Sequence, residues 1–410
     1  MSLTTQDPSP TASVPAAPRF PFARGCPIHP PELYAQARAQ QPLYKVTLWD
    51  DKQAWLVLDY ALVKQILIDP RFSGRFAHPD FPAVTQARVA IDKQERAFIG
   101  MDNPEHHAFR RLFSREFSAK RMLALRPQIE NLTHGLIDDM LSGGSSADLV
   151  EALAVRLPSL VMCELFGSPY EDHQFIMACA AGRHGLTQSA DTAQKTARAL
   201  VAYVRQLIDH KEREPGDDMV SRIIADHVLT GALSRDDFAE IGAMILRGGH
   251  DTTTNMIGVG TYLLLQNPPL REKLSQSPEL MPGAVEEMLR FISPVQFAPR
   301  RVALEDVEIG GVLIRQGEGI FPLLPAANRD GCVFTDPDTL DFERDASGHI
   351  AFGYGIHQCL GQILARVELQ VVFGAILQRM PTLRLAVPPE QVRFKTDMQI
   401  YGIYSLPVAW

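Results

Sequence analysis

The stretch that decides the fold is Ala351-Phe352-Gly353-Tyr354-Gly355-Ile356-His357-Gln358-Cys359-Leu360-Gly361, a glycine-rich turn before a helical pattern over 360–378. This order places Cys359 at or just before a helix N-terminus. Backbone N–H groups and the helix dipole there predict a lowered thiol pKa and a thiolate, which is the form that binds metal. The glycines permit tight turning and close approach of a flat ligand to the backbone. We therefore interpret Cys359 as a candidate metal ligand.

The composition is that of a globular protein with a large core. The chain has 410 residues, a net charge of −8, 46% apolar and 21% charged residues, which excludes collagen-like, mainly disordered and disulfide-scaffold classes. The mild acidity argues against a general nucleic-acid binder. The five cysteines contain no CxxC pair, which fits a reducing compartment.

The N-terminus is rich in Pro, Ser, Thr and Ala and has neither a basic start nor an apolar signal core. We expect a disordered leader over residues 1–24 and a single domain over residues 25–410. No run approaches the ~18 apolar residues that span a bilayer. A cytoplasmic protein without membrane association is therefore expected, with a monomer as the default.

Helical periodicity dominates the chain, for example over 127–141 and 191–214. Short β-rich pairs occur over 43–49 with 54–59, and over 302–309 with 312–314. The strands cluster near the chain ends and do not alternate with helices, which disfavours a doubly wound sheet. The predicted fold class is mainly α with small β-sheets (α+β).

One predicted helix is unusually long. Ser234 and Asp237 form a capping box, and Asn267-Pro268-Pro269 ends the pattern. About 32 residues at about 1.5 Å each would cross a whole domain. Its middle, Gly248-Gly249-His250-Asp251-Thr252, contradicts helix propensity, and such failures often mark a site. A kink between two shorter helices is the alternative.

The cysteine segment resembles the haem-binding loop of the cytochrome P-450 family, F-G-x-G-x-H-x-C-x-G, at every fixed position. The resemblance implies haem b (iron protoporphyrin IX), with Cys359 as the iron ligand and Phe352, Gly353 and Gly361 in the haem-binding loop. It also implies the cytochrome P-450 fold, with haem between a long central helix and the helix that follows the cysteine loop.

Three further sets of residues resemble the family's motifs. Glu287 and Arg290 match its E-x-x-R motif, and Arg344 takes the third place in a structural lock. The resemblance assigns the haem propionates to His106, Arg110, Arg301 and His357. Nearby basic residues could dock an acidic electron donor.

The glycine interruption of the long helix resembles the family's oxygen-activating segment, [AG]-G-x-[DE]-T. By this resemblance Gly248 and Gly249 let the helix approach the haem, Thr252 donates a hydrogen bond during O₂ activation, and Asp251 relays protons from solvent. His250, at the variable position, is either a second proton group or a packing residue.

The resemblance implies an O₂-dependent monooxygenase that hydroxylates or dealkylates a small hydrophobic molecule with electrons from a ferredoxin or similar donor. The alternatives are nitric oxide reduction, peroxide-driven oxidation and, from another class, a haem-based sensor without turnover. The pair of Asp251 and Thr252 favours the monooxygenase.

Family geometry predicts an apolar substrate pocket, suited to a terpenoid, macrolide, steroid or fatty acid. The candidate wall residues are Phe76, Phe81, Leu186, Val295, Phe297, Ile400 and Tyr401.

Overall fold

A computed structural model describes residues 17–180 and 190–410. The α-helices in these ranges are α1 Glu32–Gln40, α2 Tyr60–Ile68, α3 Gln86–Asp92, α4 Glu105–Ser114, α5 Ala119–Ala124, α6 Arg126–Ser142, α7 Arg156–Phe166, α8 His173–Ala180, α9 Ala190–Arg213, α10 Met219–Ile223, α11 Arg235–Gln266, α12 Pro268–Gln276, α13 Met281–Ile292, α14 Leu324–Ala327 and α15 Gln362–Arg379. The strands are β1 Leu43–Thr47, β2 Gln53–Val57, β3 Phe72–Ser73, β4 Ser146–Asp148, β5 Arg301–Ala303, β6 Val307–Ile309, β7 Val312–Ile314, β8 Gly319–Pro322, β9 Arg384–Leu385, β10 Arg393–Phe394, β11 Ile403–Ser405 and β12 Pro407–Ala409. The predicted class, mainly α with small sheets, is confirmed.

The central helix α11 is continuous over 32 residues, as the sequence predicted. Its N-terminus is capped by Ser234, whose side chain accepts a hydrogen bond from the N–H of Asp237. It packs against α7, α9 and α15, so it runs through the largest hydrophobic cluster of the protein. The alternative of two shorter helices is wrong, because α11 is continuous from Arg235 to Gln266.

Two glycines let α11 approach its neighbours closely. A Cβ on Gly260 would overlap the ring of Phe373 in α15, and a Cβ on Gly249 would overlap the sulfur of Met162 in α7. A Cβ on Gly248 would meet nothing within 4 Å. Gly249 is therefore a packing requirement, whereas Gly248 leaves space beside the helix.

The largest sheet has the strand order β1-β2-β8-β5-β3. Its β1–β2 hairpin is antiparallel and agrees with the predicted one. The single strand predicted over 302–309 is wrong, because β5 pairs with β8 in this sheet whereas β6 forms a separate hairpin with β7. That hairpin turns at Gly310 and Gly311, whose φ angles of 56° and 76° suit glycine.

Residues 17–24, assigned from sequence to the disordered leader, pack against the body of the protein. The Phe20 ring lies 5.4 Å from that of Phe297 and 5.2 Å from that of Phe321, and the N–H of Thr47 donates to Pro18 O at 2.9 Å. The predicted leader therefore extends too far toward the C-terminus, because Phe20, which it includes, packs in an aromatic cluster with Phe297 and Phe321. None of the described helices combines the length and apolar character needed to span a bilayer.

Candidate active site

The cysteine loop is folded back on itself before α15 begins. Gly353 and Gly355 have φ angles of 76° and 74°, and the N–H of Cys359 donates to Phe352 O at 2.8 Å. A Cβ on Gly355 would come within 2.9 Å of Leu67 O. The loop therefore requires glycine at both positions, as the sequence predicts for a tight turn.

The side chain of Cys359 opens into an internal cavity. Burial raises the pKa of its thiol, although a backbone hydrogen bond from Gly361 and the charges of Arg110 and Arg366 act in the opposite direction. The predicted lowering of this pKa is therefore wrong for the protein without a bound metal, because desolvation exceeds the effect of the nearby donors. A metal cation bound to the sulfur would favour the thiolate.

A polar wall lies beside the loop and is formed by His106, Arg110, Arg301 and His357. The rings of His106 and His357 are 4.3 Å apart, and Arg110 Nη2 donates to Gln358 O at 2.5 Å. Both nitrogens of His106 and Nε2 of His357 are buried without a hydrogen-bond partner among the described residues. The structure thus brings together all four residues that the resemblance assigned to the haem propionates.

The polar wall is electrostatically suited to an anion. Burial, together with neighbouring arginines, lowers the pKa of His106 to about 4 and that of His357 to about 2. Burial also lowers the pKa of Arg301, to about 10, so this guanidinium remains protonated near neutral pH. Buried donors without acceptors are rare in folded proteins and indicate a missing partner.

The middle of α11 faces the same cavity with Gly248, Asp251 and Thr252. The hydroxyl of Thr252 donates to Gly248 O at 3.1 Å, so the predicted bond back into the helix is present. Nδ1 of His250 lies 3.0 Å from Asp251 Oδ1. The other ring nitrogen, Nε2, is buried and has no partner among the described residues.

Two residues that sequence reasoning did not find connect Asp251 to the C-terminal sheet. Asn255 Nδ2 donates to Asp251 O at 2.8 Å, and Lys395 Nζ donates to Asn255 Oδ1 at 2.9 Å. Burial lowers the pKa of Lys395, while Asp251 and Asp397 raise it. Nothing in the sequence places Lys395 near Asp251, because α11 and the loop after β10 meet only in the folded chain.

Glu287, Arg290 and Arg344 form one buried ion cluster. Arg290 donates two hydrogen bonds to Glu287, of 2.7 and 2.8 Å, and Arg344 donates a third of 3.2 Å. Arg290 also donates to Asn328 O and Pro337 O, each at 2.8 Å. The cluster therefore ties α13 to the loop that precedes Cys359, and none of its members lines the cavity.

The cavity between α11 and the cysteine loop has a volume of about 400 Å³. Its walls are mainly apolar, with charged residues where α3 and the segment before β5 approach it. Such a mixture of apolar walls and few polar groups is typical of small-molecule sites.

Comparison with known proteins places this geometry in one family. The family model described as Cytochrome P450 matches residues 183–399. The chain is 42% identical to vitamin D3 dihydroxylase of Streptomyces griseolus over 98% of this chain and 100% of that protein. The chain belongs to the cytochrome P450 family. The crystal structure of the P450 MoxA from Nonomuraea recticatena superimposes with a TM-score of 0.89 at 43% identity, covering 96% of this chain and 98% of that one.

A third relative extends the comparison to a bound complex. The mycinamicin VIII C21 methyl hydroxylase MycCI from Micromonospora griseorubida, solved with mycinamicin VIII, has a TM-score of 0.91 at 34% identity and covers 96% of this chain and 100% of that one. These relatives support a P450 monooxygenase as the function of this chain, and the family implies a haem and the use of O₂.

The residues of this P450 fit a haem. The glycine turn leaves room for a flat ring, Cys359 presents a sulfur to the cavity, and the polar wall offers unpartnered donors for two propionates. Phe352, Gly353 and Gly361 line the cavity around the cysteine, and Gly248 and Gly249 line it from α11.

The predicted substrate-pocket residues divide into three groups. Phe76, Val295 and Ile400 line the cavity of this P450. Phe81, Phe297 and Tyr401 do not: Phe81 packs against Phe76, Phe297 belongs to the aromatic cluster of Phe20, and Tyr401 donates through its hydroxyl to Pro27 O. Leu186 lies outside the described residues.

Sequence reasoning missed several charged residues in the cavity lining, namely Arg88, Glu95, Arg247, Arg300 and Glu368. Oε2 of Glu368 is buried without a partner among the described residues, and burial raises the pKa of this carboxyl well above its usual range. A charged residue inside the strongly apolar 360–378 pattern was the available signal for Glu368. The arginines had none, because single basic residues normally face solvent, both on helices, as at Arg88 and Arg247, and in loops, as at Arg300.

Proposed function

We propose that this P450 holds haem b through Cys359 and uses two electrons from a ferredoxin and its reductase to transfer one oxygen atom from O₂ to a small hydrophobic molecule. When bound, the haem supplies the chemistry that cleaves the O–O bond. The observation that carries the proposal is the arrangement of Cys359 and the Asp251–Thr252 pair on opposite sides of one cavity.

His106, Arg110, Arg301 and His357 would bind the two propionates. Charge-assisted hydrogen bonds to carboxylates are the strong ones, and three buried nitrogens of this wall have no other described partner. These residues would hold the haem in the cavity between the cysteine loop and α11. The Glu287 cluster holds the preceding loop in place and takes no part in the reaction.

Asp251 and Thr252 would deliver protons. The Thr252 hydroxyl is placed by Gly248 O and lies at the cavity, and Asp251 contacts both His250 and the chain of Asn255 and Lys395. The bond from Asn255 ends on the backbone carbonyl of Asp251, so Lys395 acts on the Asp251 carboxylate through its charge. His250 stays a candidate second proton group, because its Nδ1 meets Asp251 Oδ1.

The apolar lining from Phe76, Val295 and Ile400 would bind the substrate. The relatives include a vitamin D3 dihydroxylase and a hydroxylase solved with mycinamicin VIII, and both names describe hydroxylation of a small molecule. A cytoplasmic location and a monomeric state are part of the same proposal. The exposed thiols of Cys26 and Cys332 support a reducing compartment.

The test is turnover under labelled dioxygen. Haem-loaded protein, a surrogate ferredoxin, its reductase and NADPH are incubated under ¹⁸O₂ with a library of compounds selected by the spectral shift they cause on binding. We expect a product that carries one labelled oxygen atom, and loss of product when ferredoxin is omitted. NADH oxidation that requires nitric oxide and no ferredoxin, or product formed only with peroxide, would contradict the proposal.

A further inference from the structure

A cluster of three charged residues borders the cavity through its two arginines, Arg88 and Arg300. Arg300 donates to Asp92 through two bonds of 2.6 and 2.9 Å, and Arg88 donates to the same carboxylate at 2.8 Å. Arg88 and Arg300 both line the cavity. Arg300 and Asp92 are almost fully buried, and the Arg88 side chain is 14% exposed.

The cluster carries a net positive charge. Burial would raise the pKa of Asp92, but the two arginines hold it below its usual value, so the carboxylate is ionised at neutral pH. Guanidinium groups stay protonated in proteins. Two positive charges therefore face one negative charge inside the protein, and a buried charge without compensation is costly.

The hydrogen bonds do not use all the N–H donors of either guanidinium. Each guanidinium has five N–H donors, and the bonds from Arg300 end on Asp92 and on Pro82 O. Arg88 bonds Asp92 and makes a long contact of 3.4 Å with Gln399 Oε1. Free N–H groups of both arginines can thus reach a second planar acceptor.

The surroundings favour an anion at the end of an apolar molecule. The Phe76 ring packs against both guanidiniums, at 5.9 Å from Arg88 and 5.4 Å from Arg300, and Val295 and Ile400 continue the same lining. A second charge pair in this cavity, Arg247 with Glu95 at 2.8 Å, has one charge of each sign. Apart from the polar wall assigned to the propionates, the excess positive charge therefore lies at α3 and the segment before β5.

We propose that Arg88 and Arg300 form an anion subsite that binds the carboxylate of an apolar carboxylic acid and fixes which carbon of that substrate faces the haem. A carboxylate matches the planar guanidinium fork and supplies the missing negative charge. This inference rests on the proposed function, because it assumes that the substrate occupies this cavity.

The test compares acids with their neutral analogues. Haem-loaded protein is titrated with adamantaneacetic acid, dodecanoic acid and biphenylacetic acid, and with the methyl ester of each, by calorimetry and by the spectral shift. We expect each acid to bind about tenfold or more tightly than its ester, the scale of a charge-assisted hydrogen bond. Acids that bind no more tightly than their esters, or that do not bind, would overturn the inference.

Variants locate the effect. Arg88→Gln should remove most of the preference for acids while leaving ester affinity unchanged, which also shows that the cavity is intact. Arg88→Lys should keep part of the preference, because it keeps the charge. The matched control is the double variant Glu95→Gln with Arg247→Gln. The side chain of Arg247 is 13% exposed, a value similar to the 14% of Arg88. The double variant leaves the net charge unchanged, so the preference for acids should persist.

Equal loss of preference in the control and in Arg88→Gln would overturn the assignment to Arg88. The binding experiment does not depend on turnover. A preference for acids without incorporation of labelled oxygen would support the subsite and refute the monooxygenase. Labelled product without a preference for acids would support the monooxygenase and refute the subsite.

Discussion

Substitution of the two neighbouring glycines of α11 by alanine should have opposite effects on stability. Alanine is about 1 kcal/mol more favourable than glycine inside a helix. The methyl group that Gly248→Ala adds meets no described protein atom within 4 Å, so we expect this variant to stabilise the protein by about 1 kcal/mol. Gly249→Ala gains the same propensity, but its methyl group overlaps Met162 of α7.

The side chain of Met162 must shift to admit the new methyl group. Met162 is 1% exposed, and its sulfur, Cγ and Cε all lie near the new methyl position. Overpacking of a core costs about 1 to 3 kcal/mol, so Gly249→Ala should be less stable than Gly248→Ala by that amount.

The assay is urea unfolding of the haem-loaded variants, followed by circular dichroism. Met162→Val, which shortens the obstructing side chain, should restore part of the stability lost in Gly249→Ala. The double-mutant cycle then measures the coupling of the two positions. If Gly249→Ala proves as stable as Gly248→Ala, the close packing of α11 on α7 is refuted.

Three further predictions address proton delivery and pH. Asp251→Asn should lower the turnover rate by about tenfold to a thousandfold, the usual range for loss of an acid–base group, with ligand binding unchanged; an unchanged rate would contradict the relay. Lys395→Met should slow turnover less than Asp251→Asn, because Lys395 acts on Asp251 only through the interaction of their charges; a loss as large as that of Asp251→Asn would contradict this. Burial would raise the pKa of Glu286, but bonds from His349 and Arg366 lower it to about 2, so its contribution of about 3 kcal/mol to stability is complete above pH 4.5 and lost as pH falls toward 2. The difference in thermal midpoint between wild type and Glu286→Gln should therefore shrink over that window, and a constant difference would contradict the pKa.

Much of the fold could be predicted because its signals are local. The capping box at Ser234, the stop at Asn267 and the apolar periodicity between them fix both ends of α11. The glycine turn before Cys359 needs positive φ angles at defined positions, so its conformation follows from the sequence. Two hairpins followed from β-rich runs and turn residues in the same way.

What the sequence missed depends on contacts between distant parts of the chain. The strand predicted over 302–309 is divided because β5 and β6 have different partners. Burial of Phe20 requires Phe297 and Phe321, which come from elsewhere in the chain.

The charged residues of the cavity also depend on contacts between distant parts of the chain, so the sequence did not predict them. Arg88 and Arg300 meet at Asp92 across a separation of more than 200 residues, and Lys395 reaches Asn255 across 140. The pKa of Cys359 was mispredicted for a related reason. The helix terminus and Gly361 are visible in the sequence, whereas the degree of burial is a property of the whole fold.

The central claim is that the Cys359 thiolate binds the haem iron, and the carbon monoxide difference spectrum of the reduced, haem-loaded protein tests it most directly. We predict the red-shifted Soret band of thiolate ligation in the wild type and its loss in Cys359→Ala, with Cys163→Ala, a buried cysteine away from the cavity, as the unaffected control. A wild-type protein that binds haem fully and lacks this band, or a Cys359→Ala variant that keeps it, would contradict the account.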